Sequence, residues 1–166
     1  MNVVLIGYRG TGKSTVGKIV AVRLGRSVVS SDAEIVKGTG QSIPEIVAQH
    51  GWDYFRDLES QVCKELAGRD GIVIDTGGGV ILRSQNVELL KKTGTLFWLT
   101  ASVDTIAQRI GRETQRPSLT GTKSFVDEIE DVMRERTPKY QAAADHEIAT
   151  DGRSIVQIAD AILARL

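Results

Sequence analysis

Val3-Val-Leu-Ile-Gly-Tyr-Arg-Gly-Thr-Gly-Lys-Ser-Thr15 contains, in this order, an apolar run, a glycine-rich loop and the start of a helical pattern. The apolar run is uninterrupted and rich in β-branched residues, which is typical of a strand buried on both faces. The residues from Gly7 to Ser14 fit the motif G-x4-G-K-[ST], in which backbone N–H groups and a helix N-terminus bind phosphate. The sequence therefore predicts a nucleotide-binding protein.

The residue types in this loop suit phosphate chemistry. Glycines allow a tight turn and a close approach of the phosphate to the backbone. Lys13 can reach the β- and γ-phosphates as a mobile point charge, and the hydroxyl of Ser14 can ligate Mg²⁺. We expect the nucleotide phosphates to be held by six consecutive residues, which are Gly10, Thr11, Gly12, Lys13, Ser14 and Thr15.

Short apolar runs alternate with helical patterns along the rest of the chain. This alternation predicts an α/β fold with a mainly parallel sheet that is covered by helices on both faces. Strands are predicted at residues 3–6, 27–30, 71–75, 95–100 and 146–150. Helices are predicted at residues 13–24, 32–37, 42–50, 52–67, 84–92, 102–110, 123–144 and 154–166, with Ser42, Ser84 and Ser102 as caps and a break or kink at Pro138.

Length and composition narrow the class of protein. A chain of 166 residues predicts one domain, residues 1–166, with a sizeable core. Lys plus Arg and Asp plus Glu number 21 each, so no global field attracts the chain to nucleic acid or to a membrane surface. Cys63 is the single cysteine, which excludes a disulfide framework and favours a cytoplasmic protein with a packed thiol. No run is long enough to span a membrane.

Polar and glycine-rich positions follow the predicted strands. Asp32 comes after the second strand, and Asp75 with Gly77-Gly-Gly79 ends the third. Parallel α/β sheets bind ligands at the carboxyl ends of their strands, so we expect an acceptor site there. The polar segment 111–122, which contains Arg112 and Arg116, is predicted either to close over phosphates as a flap or to be a plain surface loop.

The phosphate loop alone does not distinguish a kinase from a GTPase or an ATP-driven machine. The chain is short, the base-reading motif Asn-Lys-x-Asp of GTPases is absent, and charged residues are found where an acceptor would bind. These observations favour a small-molecule kinase. The alternative function is a non-catalytic ATP-binding module. The two arginines also have an alternative role in structural ion pairs, Arg56 with Asp53 or Glu59 and Arg136 with Glu135 or Asp145.

A further set of motifs carries a resemblance to one family. After the phosphate loop and Asp32 come Thr39-Gly-x-Ser-Ile43, Phe55-Arg56-x-x-Glu59, Gly77-Gly-Gly79, Arg116-Pro117 and Arg136-x-Pro-x-Tyr140. In this order they resemble shikimate kinase, nearly from end to end. The resemblance implies a nucleoside-monophosphate-kinase-like fold with sheet order 2-3-1-4-5, an acceptor-binding segment at about residues 33–60 and a lid at about 111–122. It also implies that ATP, with Mg²⁺, phosphorylates the 3-hydroxyl of shikimate on the route to chorismate and the aromatic amino acids.

The resemblance also implies residue roles. Arg56 and Arg136 would bind the carboxylate of shikimate, and Asp32 would orient or deprotonate the attacking hydroxyl. Lys13 and Arg116 would stabilise charge on the transferring phosphoryl group. The remaining expected site residues are Gly78 and Gly79 toward shikimate, and Arg109 and Arg153 near adenine.

Two positions depart from the family pattern. The family usually has Asp-x-Asp after the second strand, where this chain has Ser30-Ser-Asp32, and it usually has a small residue at the position of Asp75. We therefore expect Mg²⁺ to depend on Ser14 and Asp75, the latter replacing the acid that is missing at position 30 or, alternatively, only capping a neighbouring loop N–H. The departures leave room for a related enzyme of the gluconate-kinase type. A monomer that binds shikimate and ATP, with no nucleic acid or membrane partner, is expected.

Overall fold

Five short apolar segments form the central sheet in the computed structural model, which describes residues 1–111 and 125–166. The strands are β1 (Asn2–Ile6), β2 (Val28–Ser30), β3 (Val73–Asp75), β4 (Gly94–Thr100) and β5 (His146–Ala149). Their order is β2-β3-β1-β4-β5, and every neighbouring pair is parallel. The predicted sheet and its order are therefore confirmed.

Eight helices connect or follow the strands in the described residues. They are α1 (Lys13–Leu24), α2 (Ser31–Thr39), α3 (Ile43–His50), α4 (Trp52–Ala67), α5 (Ser84–Thr93), α6 (Val103–Ile110), α7 (Phe125–Ala143) and α8 (Ile155–Leu163). A 3₁₀ turn, Val80–Leu82, links the triple-glycine loop to α5. None of these helices combines the length and the apolar character that a membrane crossing requires.

The core lies on both faces of the sheet because side chains alternate along each strand. On one face, Val4 and Ile74 pack against α4, α5 and α7; on the other, Leu5 and Val73 pack against α1 and α8. Burial raises the pKa of Cys63 to about 12, so its thiol stays neutral within the first of these clusters, as predicted.

Three details of the sequence prediction are wrong. Ser84 does not cap α5 but is its first residue, and Arg83 occupies the cap position without a side-chain hydrogen bond. The strand before Asp75 begins at Val73 instead of at 71, because the left-handed backbone of Gly71, with φ +70, is incompatible with an extended strand. Helix α2 continues through the predicted break at residue 38 and ends at Thr39, and Gly40 is its C-cap with a left-handed backbone.

Helix α7 also differs from the expected pattern at Pro138. The helix continues through this residue without a break, although a proline removes one backbone hydrogen bond. Arg136, Tyr140 and Ala143 are buried on either side of the proline. Packing on both sides therefore holds the helical backbone that local preference would interrupt.

Candidate active site

The glycine-rich loop lies between β1 and α1, as the sequence predicts. Gly7, Gly10 and Gly12 have φ values of 145, 82 and 92, which are accessible to glycine and strained for other residues. Gly12 is the N-cap of α1, and no side chain caps this helix. The first-turn amides of α1 therefore face the loop, where an anionic group would be stabilised by them.

Lys13 lies inside this loop. Its Nζ donates to the carbonyl oxygen of Gly7 at 2.8 Å and to that of Tyr8 at 3.0 Å. The side chain is buried. The ammonium group is therefore held where the loop would receive phosphates.

Ser14 and Asp75, the two residues expected to support Mg²⁺, contact each other directly. The hydroxyl of Ser14 donates to Oδ2 of Asp75 at 2.6 Å. Asp75 is the last residue of β3 and only 7% exposed, and burial raises the pKa of its carboxyl group, against the lowering effects of the Ser14 hydrogen bond and the charge of Lys13.

Ser30 and Asp75 end neighbouring strands in register. They are paired residues of β2 and β3. The hydroxyl of Ser30 accepts a hydrogen bond from the backbone N–H of Ala33 at 3.2 Å and thereby caps α2. The carboxylate and the serine that depart from the family pattern are thus adjacent at one edge of the sheet.

A cleft of about 330 Å³ opens above the loop and these strand ends. It contains groups of both signs, and Asp75 interacts electrostatically with Lys13 and with Asp32. The residues that line it are Arg9, Gly10, Gly12, Lys13, Ser14, Thr15, Ser30, Asp32, Asp75, Thr76, Gly77, Gly78 and Arg109. Most of the residues predicted for the nucleotide phosphates therefore border one cavity.

Asp32 borders this cleft beside the triple-glycine loop. A Cβ atom placed on Gly77 would lie 2.8 Å from Oδ1 of Asp32 and 2.8 Å from Oε2 of Glu59. The N–H of Gly77 donates to the hydroxyl of Ser31 at 3.0 Å. Glycine at position 77 therefore lets two carboxylates approach the backbone of this loop.

Arg56 lies on the other side of the same loop. Its NH1 is 2.9 Å from Oε1 of Glu59, one turn further along α4, and the carboxylate of Glu59 is fully buried. The Cζ atom is 5.3 Å from the ring centroids of both Trp52 and Phe55. A Cβ on Gly79 would overlap the guanidinium. Of the two ion pairs that the sequence allowed as alternatives, the one with Glu59 is present, and the same arginine faces Gly79.

Arg136 approaches the loop from α7. Its NH1 lies 3.6 Å from the position of a Cβ on Gly78, and its Cζ is 6.0 Å from the ring centroid of Tyr8. The alternative was an ion pair of Arg136 with Asp145. The carboxylate of Asp145 instead pairs with Lys91, whose Nζ is 3.3 Å away. Arg136 and Gly78 are therefore brought together as the sequence predicts.

The remaining predicted site residues are placed less uniformly. NH1 of Arg109 donates to the carbonyl oxygen of Gly10 at 3.0 Å, so this arginine lies at the edge of the loop. Arg153 is exposed and does not line the cleft. Arg116, with the predicted lid beyond Gly111, lies outside the described residues, and its role stays a prediction.

The sequence indicated no role for two residues that shape this site. Tyr140 donates its hydroxyl to the carbonyl oxygen of Gly78, and Tyr8 lies against Arg136. The i,i+3 spacing of Arg56 and Glu59 is a usable signal for their ion pair. Nothing in the local sequence indicates where the ring of Tyr8 lies.

The donor set is compatible with Mg²⁺ bound together with a nucleotide. Residues 1–111 and 125–166 contain no group of three or more His, Cys, Asp or Glu side chains that could hold a metal by themselves. Mg²⁺ usually keeps several waters and binds one or two protein groups plus substrate phosphates. The pair of Ser14 and Asp75 fits this pattern.

A phosphate loop, a five-stranded parallel sheet of order 2-3-1-4-5 and an adjoining pocket with carboxylates and arginines define a phosphate-loop kinase of the small-molecule type. The comparisons with known proteins agree. The shikimate kinase family profile matches residues 9–166. The chain belongs to the shikimate kinase family, and it is therefore a phosphotransferase.

Individual relatives extend over nearly the whole chain. A shikimate kinase from Nitratidesulfovibrio vulgaris is 44% identical over 167 aligned residues, which cover 98% of this chain and 95% of the relative. One from Persephonella marina is 38% identical, with 99% and 98% covered. The structure of the Acinetobacter baumannii shikimate kinase in complex with shikimate has a TM-score of 0.94 and 36% identity, with 99% of this chain and 91% of that chain covered.

Proposed function

We propose that the protein transfers the γ-phosphoryl group of ATP to the 3-hydroxyl of shikimate, giving shikimate 3-phosphate and ADP on the route to the aromatic amino acids. The observation that carries this proposal is the meeting of Asp32, Arg56 and Arg136 at the triple-glycine loop, beside the phosphate loop, in a member of this family. A gluconate-type kinase and a non-catalytic ATP-binding module are not favoured by the family membership.

The acceptor site would be divided between two arginines and a glycine loop. Shikimate carries one carboxylate, which a guanidinium can bind through two parallel hydrogen bonds. Arg56 is already paired with the buried carboxylate of Glu59, so much of its charge is balanced within the protein. We therefore assign the larger share of carboxylate binding to Arg136, with Gly78 and Gly79 leaving room for the substrate. The acceptor segment would comprise about residues 33–60.

The chemical step needs positioned charge more than covalent participation by the protein. Asp32 would accept hydrogen bonds from the acceptor hydroxyls and take the proton of the attacking one. Lys13 would exchange its carbonyl partners for the β- and γ-phosphates. Arg116 would add a second positive charge on the transferring group from a closed lid. Mg²⁺, when bound with ATP, neutralises charge on the phosphate oxygens.

Asp75 is proposed to replace the acid that the family usually has at position 30. Ser30 and Asp75 are register partners on adjacent strands, so a carboxylate moved from one to the other stays at the same sheet edge. Asp75 already accepts a hydrogen bond from Ser14, the residue that ligates the metal in phosphate loops. The alternative, a cap on the neighbouring loop N–H, has less support, since the contact of Asp75 is with the Ser14 side chain.

Asp75→Ser is expected to raise the Mg²⁺ concentration for half-maximal turnover about 10- to 100-fold, the usual effect of losing a group that orients metal-bound water. Adding Ser30→Asp should restore most of it. Mn²⁺ binding to the complex with ADP, followed by electron paramagnetic resonance, gives a readout that does not depend on turnover. Unchanged metal binding in Asp75→Ser would show that Asp75 acts only as a local cap.

A stability measurement separates this effect from misfolding. Because burial raises the pKa of Asp75, the folded state binds its proton more tightly than the unfolded state does. The contribution of this group to stability is therefore lost as the pH rises from its ordinary pKa through the raised one. At neutral pH, Asp75→Ser should keep or raise the melting temperature of the ligand-free protein.

The reaction itself is tested by stoichiometric release of ADP in a coupled assay. ATP turnover should depend on shikimate and be low in its absence, and gluconate should not replace shikimate. Stimulation by gluconate in place of shikimate would assign the protein to the alternative substrate class. A monomeric state, a cytoplasmic location and the absence of nucleic-acid or membrane partners belong to the same proposal; light scattering of the purified protein tests the first.

A further inference from the structure

Tyr8, the second residue of the phosphate loop, has a side chain that the nucleotide chemistry does not use. It is 2% exposed, and in the described part of the chain its hydroxyl has no hydrogen-bond partner. Burying a hydroxyl without a partner costs free energy. The contribution of this residue to the site is therefore its ring.

The ring of Tyr8 is fixed by apolar packing from two helices. Its cluster includes residues of α6 and α7, the helices that precede and follow residues 112–124. The buried members are Ala101, Ile106, Ile110, Ile129 and Val132. A ring enclosed in this way has little freedom to move, so any group that rests on its face acquires a defined position.

That group is the guanidinium of Arg136, whose Cζ lies 6.0 Å from the ring centroid. A cation at this distance over an aromatic face is attracted by the ring quadrupole, and a planar guanidinium also stacks well. We propose that Tyr8 is a positioning residue that holds Arg136 beside Gly78 for the carboxylate of the acceptor. The inference rests on the role proposed above for Arg136.

Tyr140 fixes the same part of α7 from another direction. It lies one turn after Arg136, stacks on Trp98 with ring centroids 5.7 Å apart, and donates its hydroxyl to the carbonyl oxygen of Gly78. Burial raises the pKa of Tyr140 to about 12, so the hydroxyl remains a donor at neutral pH. Helix α7 is thus tied to the triple-glycine loop, and Tyr8 determines where the guanidinium lies between them.

The backbone of Tyr8 belongs to the nucleotide site while its ring belongs to the acceptor site. Its carbonyl oxygen accepts hydrogen bonds from Oγ1 of Thr11 at 2.8 Å and from Nζ of Lys13 at 3.0 Å. Tyr8 therefore contacts both the lysine of the phosphate loop, through its carbonyl oxygen, and Arg136 of the acceptor site, through its ring. This arrangement sets the position of the bound carboxylate relative to the phosphates.

The test is a double-mutant cycle measured as shikimate affinity by calorimetry. Tyr8→Leu should weaken shikimate binding about 3- to 30-fold, the range expected for loss of a largely desolvated cation–π contact. Tyr8→Phe, which keeps the ring and removes the unpartnered hydroxyl, should bind shikimate like the parent. In an Arg136→Ala background, Tyr8→Leu should have no further effect, because its influence passes through the arginine.

Ile129→Val is the matched packing control. It removes one methyl group from the same cluster and leaves the ring in place, so it should lower stability without changing shikimate affinity. The inference is overturned if Tyr8→Leu lowers shikimate affinity by the same factor in the parent and in the Arg136→Ala background. It is also overturned if Tyr8→Phe and Tyr8→Leu lower shikimate affinity equally. If Arg136→Ala alone leaves shikimate affinity unchanged, the proposed role of Arg136 fails first, and the inference fails with it. If Arg136→Ala weakens binding and Tyr8→Leu does not, the inference alone is wrong.

Discussion

Asp32→Asn should lower kcat for shikimate phosphorylation about 100- to 10,000-fold, the usual contribution of a general base. Asn keeps the size of the side chain and one acceptor oxygen, but it cannot take a proton from the attacking hydroxyl. The effect should appear in kcat, since hydrogen bonding to the ground-state hydroxyls is partly retained. Steady-state kinetics with saturating ATP and Mg²⁺ would measure it.

Glu34→Gln provides a control on the same helix. Glu34 lies in the first turn of α2 together with Asp32, but it does not line the cleft. Glu34→Gln changes the charge near the helix N-terminus by the same amount as Asp32→Asn does. Because Glu34 is outside the cleft, kcat should remain close to that of the parent. A variant Asp32→Asn that keeps kcat and raises only KM for shikimate would mean that this carboxylate binds hydroxyls without acting as a base.

Arg136→Ala should weaken shikimate binding by about 2–4 kcal/mol, because a buried charge-assisted pair with the carboxylate is lost. This corresponds to a factor of about 30 to 1,000 in affinity. The affinity for ATP should change little, since Arg136 lies at Gly78 on the acceptor side. Calorimetric titration of the variant with each substrate separately would measure both affinities.

Arg134→Ala is the matched control for this measurement. The side chain of Arg134 is 78% exposed on the same helix and lies 3.5 Å from Asp131, so its removal should affect neither substrate. Arg56→Ala is less informative, since it would remove a cation that pairs with the fully buried carboxylate of Glu59 and would destabilise the fold. If Arg134→Ala and Arg136→Ala weaken binding equally, the effect is one of general charge, and Arg136 has no special position.

The parts of the fold that local sequence controls were predictable. β1, the phosphate loop and α1 follow from an apolar run, a motif with fixed spacing and a helical pattern that ends at Gly25. The cap at Ser102 is confirmed because its hydroxyl accepts from the N–H of Thr105. These features depend on residues only a few positions apart, so the local sequence is sufficient to predict them.

The features that depend on packing were not predictable in the same way. Pro138 lies inside a continuous helix because buried neighbours on both sides hold the backbone. Ser84 is of a residue type that often caps helices, but α5 begins at Ser84 itself, and the cap position is occupied by Arg83.

The candidate site shows the same division. Asp32, Arg56, Gly79 and Arg136 were predicted through the family resemblance and lie around one loop. The ring of Tyr8 under Arg136 joins residues that are 128 positions apart, 8 and 136, and no local pattern indicates such a pair. Distances of this kind come only from the folded chain.

The carbonyl contacts of Lys13 have a consequence for product release. When ADP leaves, the ammonium group can return to the carbonyl oxygens of Gly7 and Tyr8, at 2.8 and 3.0 Å, within the same loop. The departing anion therefore leaves the buried ammonium group with two carbonyl acceptors instead of an uncompensated charge. The same contacts must be broken when a nucleotide binds, so they lower the net affinity of the loop for phosphate groups.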